Sequence, residues 1–205
     1  MGTTSPAGVS ADDDTTLIEA WRRGDDEALA ALVERYRARV YRIALGVLPR
    51  ADEAEEAAQE SLLAAVGSLP RFRGESRFST WLYRVTLNTC FKRRRRVSRR
   101  RESPLPETAA ETLADPAALP DEVAARRRLR QRVAGFLAVL PEHYRVPVVL
   151  SDALDVPVAE VAELLGISLP AAKARVRRGR LRLRAEVERY CKEAGLSGWQ
   201  ELLEG

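Results

Sequence analysis

The sequence predicts an all-α protein of two small helical domains joined by a flexible linker, the second domain containing a helix-turn-helix. Three observations carry that prediction. Apolar residues recur every three to four positions in two separate blocks, one from about Thr15 and one from near Asp121, the spacing that lines one face of a helix. From Glu102 to Pro120 the chain instead carries Pro104, Pro106, Pro116 and Pro120 among alanines, acids and scattered leucines, so no periodic face forms and an extended or disordered path is expected. Near Gly166 two short amphipathic segments meet at a Gly-Ile-Ser turn. A chain of 205 residues with 45% hydrophobic content suffices for two compact cores.

The elements follow in order. Met1 to Asp14 has no apolar core and is expected to be disordered. Thr15 to about Arg23 reads as a short helix ended by Gly24, with Asp25 capping the next one. In that second helix Leu29, Leu32, Val33, Tyr36, Val40, Ile43 and Val47 form one stripe, and Pro49 ends it. Asp52 to Val66 is a third helix with its acids in the first turns, where the helix dipole favours them. A fourth starts near Ser76, a candidate N-cap, and buries Phe78, Trp81, Leu82 and Val85. In the second block Leu129, Val133, Phe136, Leu137 and Leu140 keep helical spacing, and Leu140-Pro141-Glu142 opens a new helix. Pro147 is compatible with that helix only in its first turn or at a kink. Val156 to Ser168 followed by Leu169 to Arg180 reads as helix-turn-helix: Ala162 permits the close crossing, Gly166 makes the turn, Ile167 plugs it, and Ser168 caps the second helix. After Gly195 a tail stripe of Leu196, Trp199, Leu202 and Leu203 suits docking on the chain itself or on a partner.

Charge narrows the function classes. The net charge is only +4, yet Asp52 to Glu60 holds five acids and no base, while Lys173 to Arg184 holds seven bases and no acid. Segregation of this kind points to two different partners. Cys90, Cys191 and the single His143 have no zinc-ligand spacing and form no Cys-His nucleophile motif; no metal, cofactor or catalytic residue is expected. No window approaches the length of a membrane span and no leader is evident, so neither membrane insertion nor export by the chain's own signals is expected, and a reducing cytoplasm fits.

The stretch Phe72 to Asn88 organises the first domain. Gly74 permits a loop, and beyond it Arg77, Thr80, Arg84 and Asn88 share one polar helix face that runs on into Lys92 to Arg96. A loop with an exposed aromatic, a polar face and a basic end suits single-stranded nucleic acid, which wants stacking beside phosphate neutralisation; a solvated amphipathic helix is the plainer alternative. In the helix-turn-helix, Lys173, Ala174, Arg177 and Arg178 are left outside, flanked by Arg175 and Arg180, an arrangement that fits a major groove or, more plainly, a phosphate-neutralising or partner-packing helix.

The run FRGESRFSTWLYRVTLN resembles the promoter-melting segment of extracytoplasmic-function (ECF, group four) sigma factors, specificity subunits of bacterial RNA polymerase. The resemblance implies that Phe72, Arg73, Gly74, Glu75, Ser76 and Arg77 surround a base flipped from the minus-ten element, with Arg84, Asn88 and Lys92 on the same DNA and Trp81 and Leu82 in the core. DEAEEAAQESLLAAV resembles the segment that docks on the largest polymerase subunit, implying that role for Asp52, Glu55, Glu56, Gln59 and Glu60; a helix end decorated with acids is the alternative. EVAELLGISLPAAKARVRRGRLRLR is similar to the minus-thirty-five-reading helix-turn-helix of the same family, implying DNA contacts from Lys173, Ala174, Arg175, Arg177, Arg178 and Arg180. Pro170 and Ala171-Ala172 depart from the family pattern, which bears on the base contacts, since alanine reads only a thymine methyl.

The implied organisation is a disordered N-terminus over 1–14, a region 2-like domain over 15–96, a linker over 97–120, a region 4-like domain over 121–192 and a tail over 193–205. The implied partners are core RNA polymerase, promoter DNA and an anti-sigma factor that covers the DNA-binding domains. The rival reading is a helix-turn-helix regulator that binds DNA without polymerase; it leaves the acidic helix and the FRGESRFSTW loop unexplained. A nucleic-acid enzyme lacks a carboxylate cluster in any recognisable motif.

Overall fold

The computed structural model describes residues 11–102 and 131–196, and among them there are helices and no strands. Of the linker expected over 97–120, residues 97–102 are instead helical, since the first proline comes only at Pro104; its remainder, the start of the second domain up to residue 130 and the tail beyond 196 lie outside the described residues. Helix α1 (Ala11–Arg22) ends at Gly24, whose φ of 99° is the left-handed turn expected there. Asp25 then caps α2 (Asp26–Val47), its carboxylate accepting from the amides of Glu27 and Ala28. Helix α3 (Ala51–Ser68) and a short 3₁₀ turn (Leu69–Arg71) lead into the loop before α4 (Phe78–Glu102).

Core formation in this first unit follows the periodicity of α2, whose Leu32, Tyr36, Val40, Ile43 and Val47 are buried. Helix α3 packs closely because its inner face is built from Ala54, Ala57, Ala58, Ser61 and Ala65. Small side chains let helix axes approach.

Three sequence expectations are corrected here. Asp14, assigned above to a disordered terminus, lies within α1 and is 3% exposed; it accepts hydrogen bonds from the Tyr36 hydroxyl and from Arg35. These two long-range partners compensate a burial that local composition argues against. Ser76 does not cap α4: its hydroxyl reaches the Arg77 carbonyl at 3.4 Å, and the first helical bond runs from the Trp81 amide to that same carbonyl. Phe72, expected beside a flipped base, is buried, with its ring centroid 5.2 Å from that of Trp81 and 5.7 Å from that of Phe78. Its carbonyl accepts from Arg22 at 2.5 Å. Phe72 therefore anchors the loop from inside, because the Phe78 and Trp81 rings offer it more apolar contact than solvent does.

The second unit starts with α5 (helical over 131–139) and α6 (Glu142–Val148). Pro147 sits inside α6 and is almost wholly buried. It cannot donate a hydrogen bond, and the chain beyond it widens into a π turn over Val149–Ala153. Helix α7 (Val158–Leu165) stops at Gly166, φ 62°, and Ser168 caps α8 (Leu169–Glu193) through the Ala171 amide. Gly179 lets α8 cross α6, since a Cβ there would stand 2.4 Å from the Val148 side chain.

The two units pack on each other. Their buried apolar residues make one contiguous core, and Arg145 ties the units together from within it. Its Nε donates to the Gly46 carbonyl at 2.7 Å and its Nη2 to Val47 at 3.2 Å, while Nη1 reaches Leu140 at 3.0 Å and Leu137 at 3.3 Å. Helix α2 has no basic residue in its last turn. The guanidinium supplies the donors and positive charge that its C-terminal carbonyls lack.

Two predictions follow from this packing. Arg145→Ala is expected to lower stability by roughly 3 kcal/mol or more, because four buried carbonyls lose charged donors, and Arg145→Lys to recover only part, a single ammonium being unable to span them; urea unfolding followed by tryptophan fluorescence measures both. Phe72→Ala is expected to cost about 3 kcal/mol or more as a core truncation, while Asn88→Ala, at an exposed position, changes stability by less than about 0.5 kcal/mol. Equal stabilities for the two would place Phe72 outside the core.

Candidate nucleic-acid interface

On the first unit, the loop residues Arg73, Gly74, Glu75, Ser76 and Arg77 are all exposed. Gly74 has φ 76°, a backbone conformation that other residues adopt at a cost, so the loop turns outward there while Phe72 and Phe78 hold its two ends in the core. Arg84, Asn88 and Lys92 are exposed at successive turns of α4, one stripe at i, i+4 spacing. The structure thus brings the loop and the stripe onto one surface and removes Phe72 from it.

The acidic helix has a different setting from the one its local sequence suggests. Glu56 and Glu60 both receive the guanidinium of Arg93 on α4, and Glu60 is also within 3.6 Å of Arg96. Asp52 is bound by Arg50, and its carboxyl is held below the usual range chiefly by that hydrogen bond. Glu55 and Gln59 face another way, lining a groove of about 460 Å³ with Arg37, Tyr41, Arg42 and Leu62. Leu63 stands 73% exposed on the same helix. The sequence carries no local signal for the α3–α4 ion pairs, whose partners are more than 30 residues apart.

On the second unit, Ala172, Val176 and Gly179 turn inward while Lys173, Arg177 and Arg178 are exposed. Ala174 is half-buried. Arg175 points to the first unit and lines a cleft of about 450 Å³ together with Arg84 and Asn88. Arg180 is a strut: its Nε lies 2.9 Å and its Nη2 2.6 Å from the Asp152 carboxylate. Burial tends to raise the Asp152 pKa, but the bonds from Arg180 and Ser151 outweigh it and hold the carboxyl low. Lys173, Arg177 and Arg178 therefore form the outward cationic face, with Arg175 and Arg180 engaged elsewhere.

Among the described residues, no group of three or more His, Cys, Asp and Glu side chains is placed to hold a metal ion, and no helix is long and apolar enough to cross a membrane. Both cysteines are buried, and burial pushes the Cys90 thiol up to about 11, with the Ser61 hydrogen bond opposing.

Comparison with known proteins places the chain in a family. The family model for Sigma-70 region 2 matches residues 32–100 and that for Sigma-70, region 4 matches residues 130–183. The ECF RNA polymerase sigma factor SigW of Bacillus subtilis is 29% identical over 179 residues, covering 83% of this chain and 94% of its own. The ECF RNA polymerase sigma-E factor of Salmonella typhimurium is 30% identical over 175 residues, covering 82% and 90%. Among solved structures, that of CnrH in complex with the cytosolic domain of CnrY matches with a TM-score of 0.61 at 24% identity, over 86% of this chain and 98% of the other. That of the sigma factor RpoE in complex with the anti-sigma factor NepR from Bartonella quintana matches at 0.59 and 21%, over 78% and 96%. These structural likenesses show the shared fold. With two helical units in the expected order, a helix-turn-helix in the second, and curated relatives aligned along most of its length, this chain belongs to the ECF sigma factors of RNA polymerase.

Proposed function

We propose that this chain docks on core RNA polymerase through α3, captures the melted minus-ten strand with the 73–77 loop and the Arg84–Asn88–Lys92 stripe, and reads the minus-thirty-five duplex with Lys173, Arg177 and Arg178. The observation that carries this reading is the pairing of two outward DNA-facing surfaces, one on each unit, in a chain of this family. Duplex readout wants donors for base edges and phosphates, which α8 presents. Strand capture wants a pocket that offsets the unstacking of a flipped base. The loop and stripe of the first unit present polar groups and cations for it. The chain performs no chemistry of its own in this reading, and it acts in the cytoplasm where polymerase and promoter are.

For docking, Glu55 and Gln59 are the cleanest residues, since Glu56 and Glu60 are engaged by Arg93. An inhibitory protein partner fits the same surfaces: both solved neighbours cited above were captured with a second protein, one of them an anti-sigma factor. Such a partner needs acidic groups to meet the Arg84–Lys92 stripe and the α8 face.

Run-off transcription with core polymerase, on a promoter selected from genomic fragments, tests the division of labour. Lys173→Ala and Arg177→Ala are expected to weaken closed-complex formation by about 1 to 3 kcal/mol where either makes a bidentate base contact. Asn88→Ala should leave duplex binding near normal and depress opening, a defect that premelted promoter DNA bypasses. Equal rescue of both sets by premelting, or rescue of neither, overturns it. The double reversal Glu55→Lys with Gln59→Lys is expected to weaken core binding with helical content unchanged, and an unaltered core affinity removes α3 from the docking role.

A further inference from the structure

The 73–77 loop is held only at its ends. Among the described residues, the polar contacts of its side chains stay within the loop: Arg73 lies 4.0 Å from Glu75, and the Ser76 hydroxyl reaches the Arg77 carbonyl at 3.4 Å. All five residues are exposed. Where the loop points is therefore set at Phe72 and Phe78, and helix α1 reaches both.

At the first end Arg22, in the last turn of α1, donates from Nη2 to the Phe72 carbonyl at 2.5 Å across 50 residues of chain. The Phe78 and Trp81 rings grip the Phe72 ring, but a packed ring leaves the rotation of the following peptide free. Phe72 has ψ 116°. Because the peptide is planar, a donor fixed on its carbonyl sets that torsion, and with it the direction in which Arg73 and Gly74 set out. At the second end the Tyr36 ring meets Phe78 edge-on, centroids 5.2 Å apart, and the Tyr36 hydroxyl donates to Asp14 of α1. Asp14 is 3% exposed and also accepts from Arg35 at 3.0 Å, so α1 is tied down near its start as well as packed on α2 and α4. Arg22 and Asp14 both precede residue 32, where the match to Sigma-70 region 2 begins.

We propose that α1 frames the strand-capturing loop and that Arg22 is a positioning residue for minus-ten recognition, holding the first peptide of the loop so that residues 73–77 stand in one arrangement before DNA arrives. The inference rests on the promoter-binding reading above and adds to it what orders the loop. A loop that samples several arrangements binds with the affinity of the competent one reduced by its population. Selectivity suffers first, because base-edge contacts carry the sequence information and need one geometry, whereas phosphate contacts carry none. Arg22 is exposed, so water replaces it on the carbonyl when it is removed. The loss then shows in the loop and not in the fold.

Arg22→Ala and Arg22→Lys, set against the unmodified chain, test this in two measurements. In the first, the free full-length chain carries a nitroxide on Ser76→Cys; Cys90 and Cys191 are buried and stay unlabelled. The label is expected to move faster in Arg22→Ala and to slow again in Arg22→Lys, whose ammonium still serves one carbonyl, with the same urea midpoint in all three. In the second, holoenzymes with the native Ser76 bind a fluorescent single strand bearing the minus-ten element of a selected promoter, or a scrambled strand of the same composition. The ratio of the two affinities is expected to fall about five- to tenfold in Arg22→Ala, with the scrambled strand bound as before, and to recover to within about twofold in Arg22→Lys. If Arg22→Ala does not fold, Arg22→Met, which keeps the stem without a donor, takes its place. An unmoved label or an unchanged ratio overturns the proposal. An equal loss on both strands with a salt slope lowered by about one does so too, since Arg22 is then a phosphate contact. An unmodified holoenzyme that shows no preference for the element overturns the strand-capture reading, while the nitroxide measurement still decides whether α1 holds the loop.

Discussion

The C-terminal end of α2 is the point on which the arrangement of the whole chain depends. Every α-helix leaves its last carbonyls without intrahelical partners, and burying them without donors is costly. Here α2 ends in buried residues, Ile43 to Leu48, with no cation in its own last turn. The donors come instead from Arg145, 99 residues later in the chain. Only a guanidinium meets the geometry, because its fork reaches two carbonyls at the end of α2 and two at the end of α5 while keeping its charge. One side chain thus caps two helices of different units, and with Val149 filling the space over Gly46 it sets how the units face each other.

The ion pairs between α3 and α4 show a second constraint of the same kind. The two segments look complementary to outside partners because each is one-signed along the chain. Folding brings them together, and Arg93 sits only 12% exposed between Glu56 and Glu60. The carboxylates themselves stand 58% and 41% exposed, so salt screens the pair from their side, and it couples the helix proposed to dock on polymerase to the helix proposed to hold DNA. A cationic partner that draws Glu56 or Glu60 away loosens Arg93, so α3 and the basic end of α4 respond together.

Legibility in the sequence followed the range of the interactions involved. Gly24, Asp25, Gly166 and Ser168 were readable because a cap is satisfied within four residues. The α2 stripe and the inward Ala172 and Val176 were readable because periodicity reports a face directly. The roles of Phe72, Asp14 and Arg145 were not, since each depends on partners whose position only the tertiary fold supplies. An aromatic beside a glycine loop reads equally well as a platform or an anchor, and the neighbours that decide for Phe72 are the Phe78 and Trp81 rings of α4 and Arg22 of α1 on its carbonyl. Arg180 is a milder case. It belongs to the basic run by composition, and only the approach of Asp152 makes it a strut.

That accounting bears on how the second unit binds DNA. Of the seven cations from Lys173 to Arg184, Arg175 faces the cleft, Arg180 is tied to Asp152, Arg182 lies over the Tyr144 ring and Arg184 is paired with Glu188. Lys173, Arg177 and Arg178 remain open among the described residues. Counterion release scales with the phosphates neutralised, so three open cations support a salt slope of roughly −2.7 at about −0.9 per phosphate, against about −6 for all seven. The unit taken alone is then a weak and modestly salt-sensitive duplex binder, and stable promoter occupancy has to draw on the first unit and on polymerase. A basic run that appears to advertise independent DNA binding is, once folded, matched to a subunit that binds as part of an assembly.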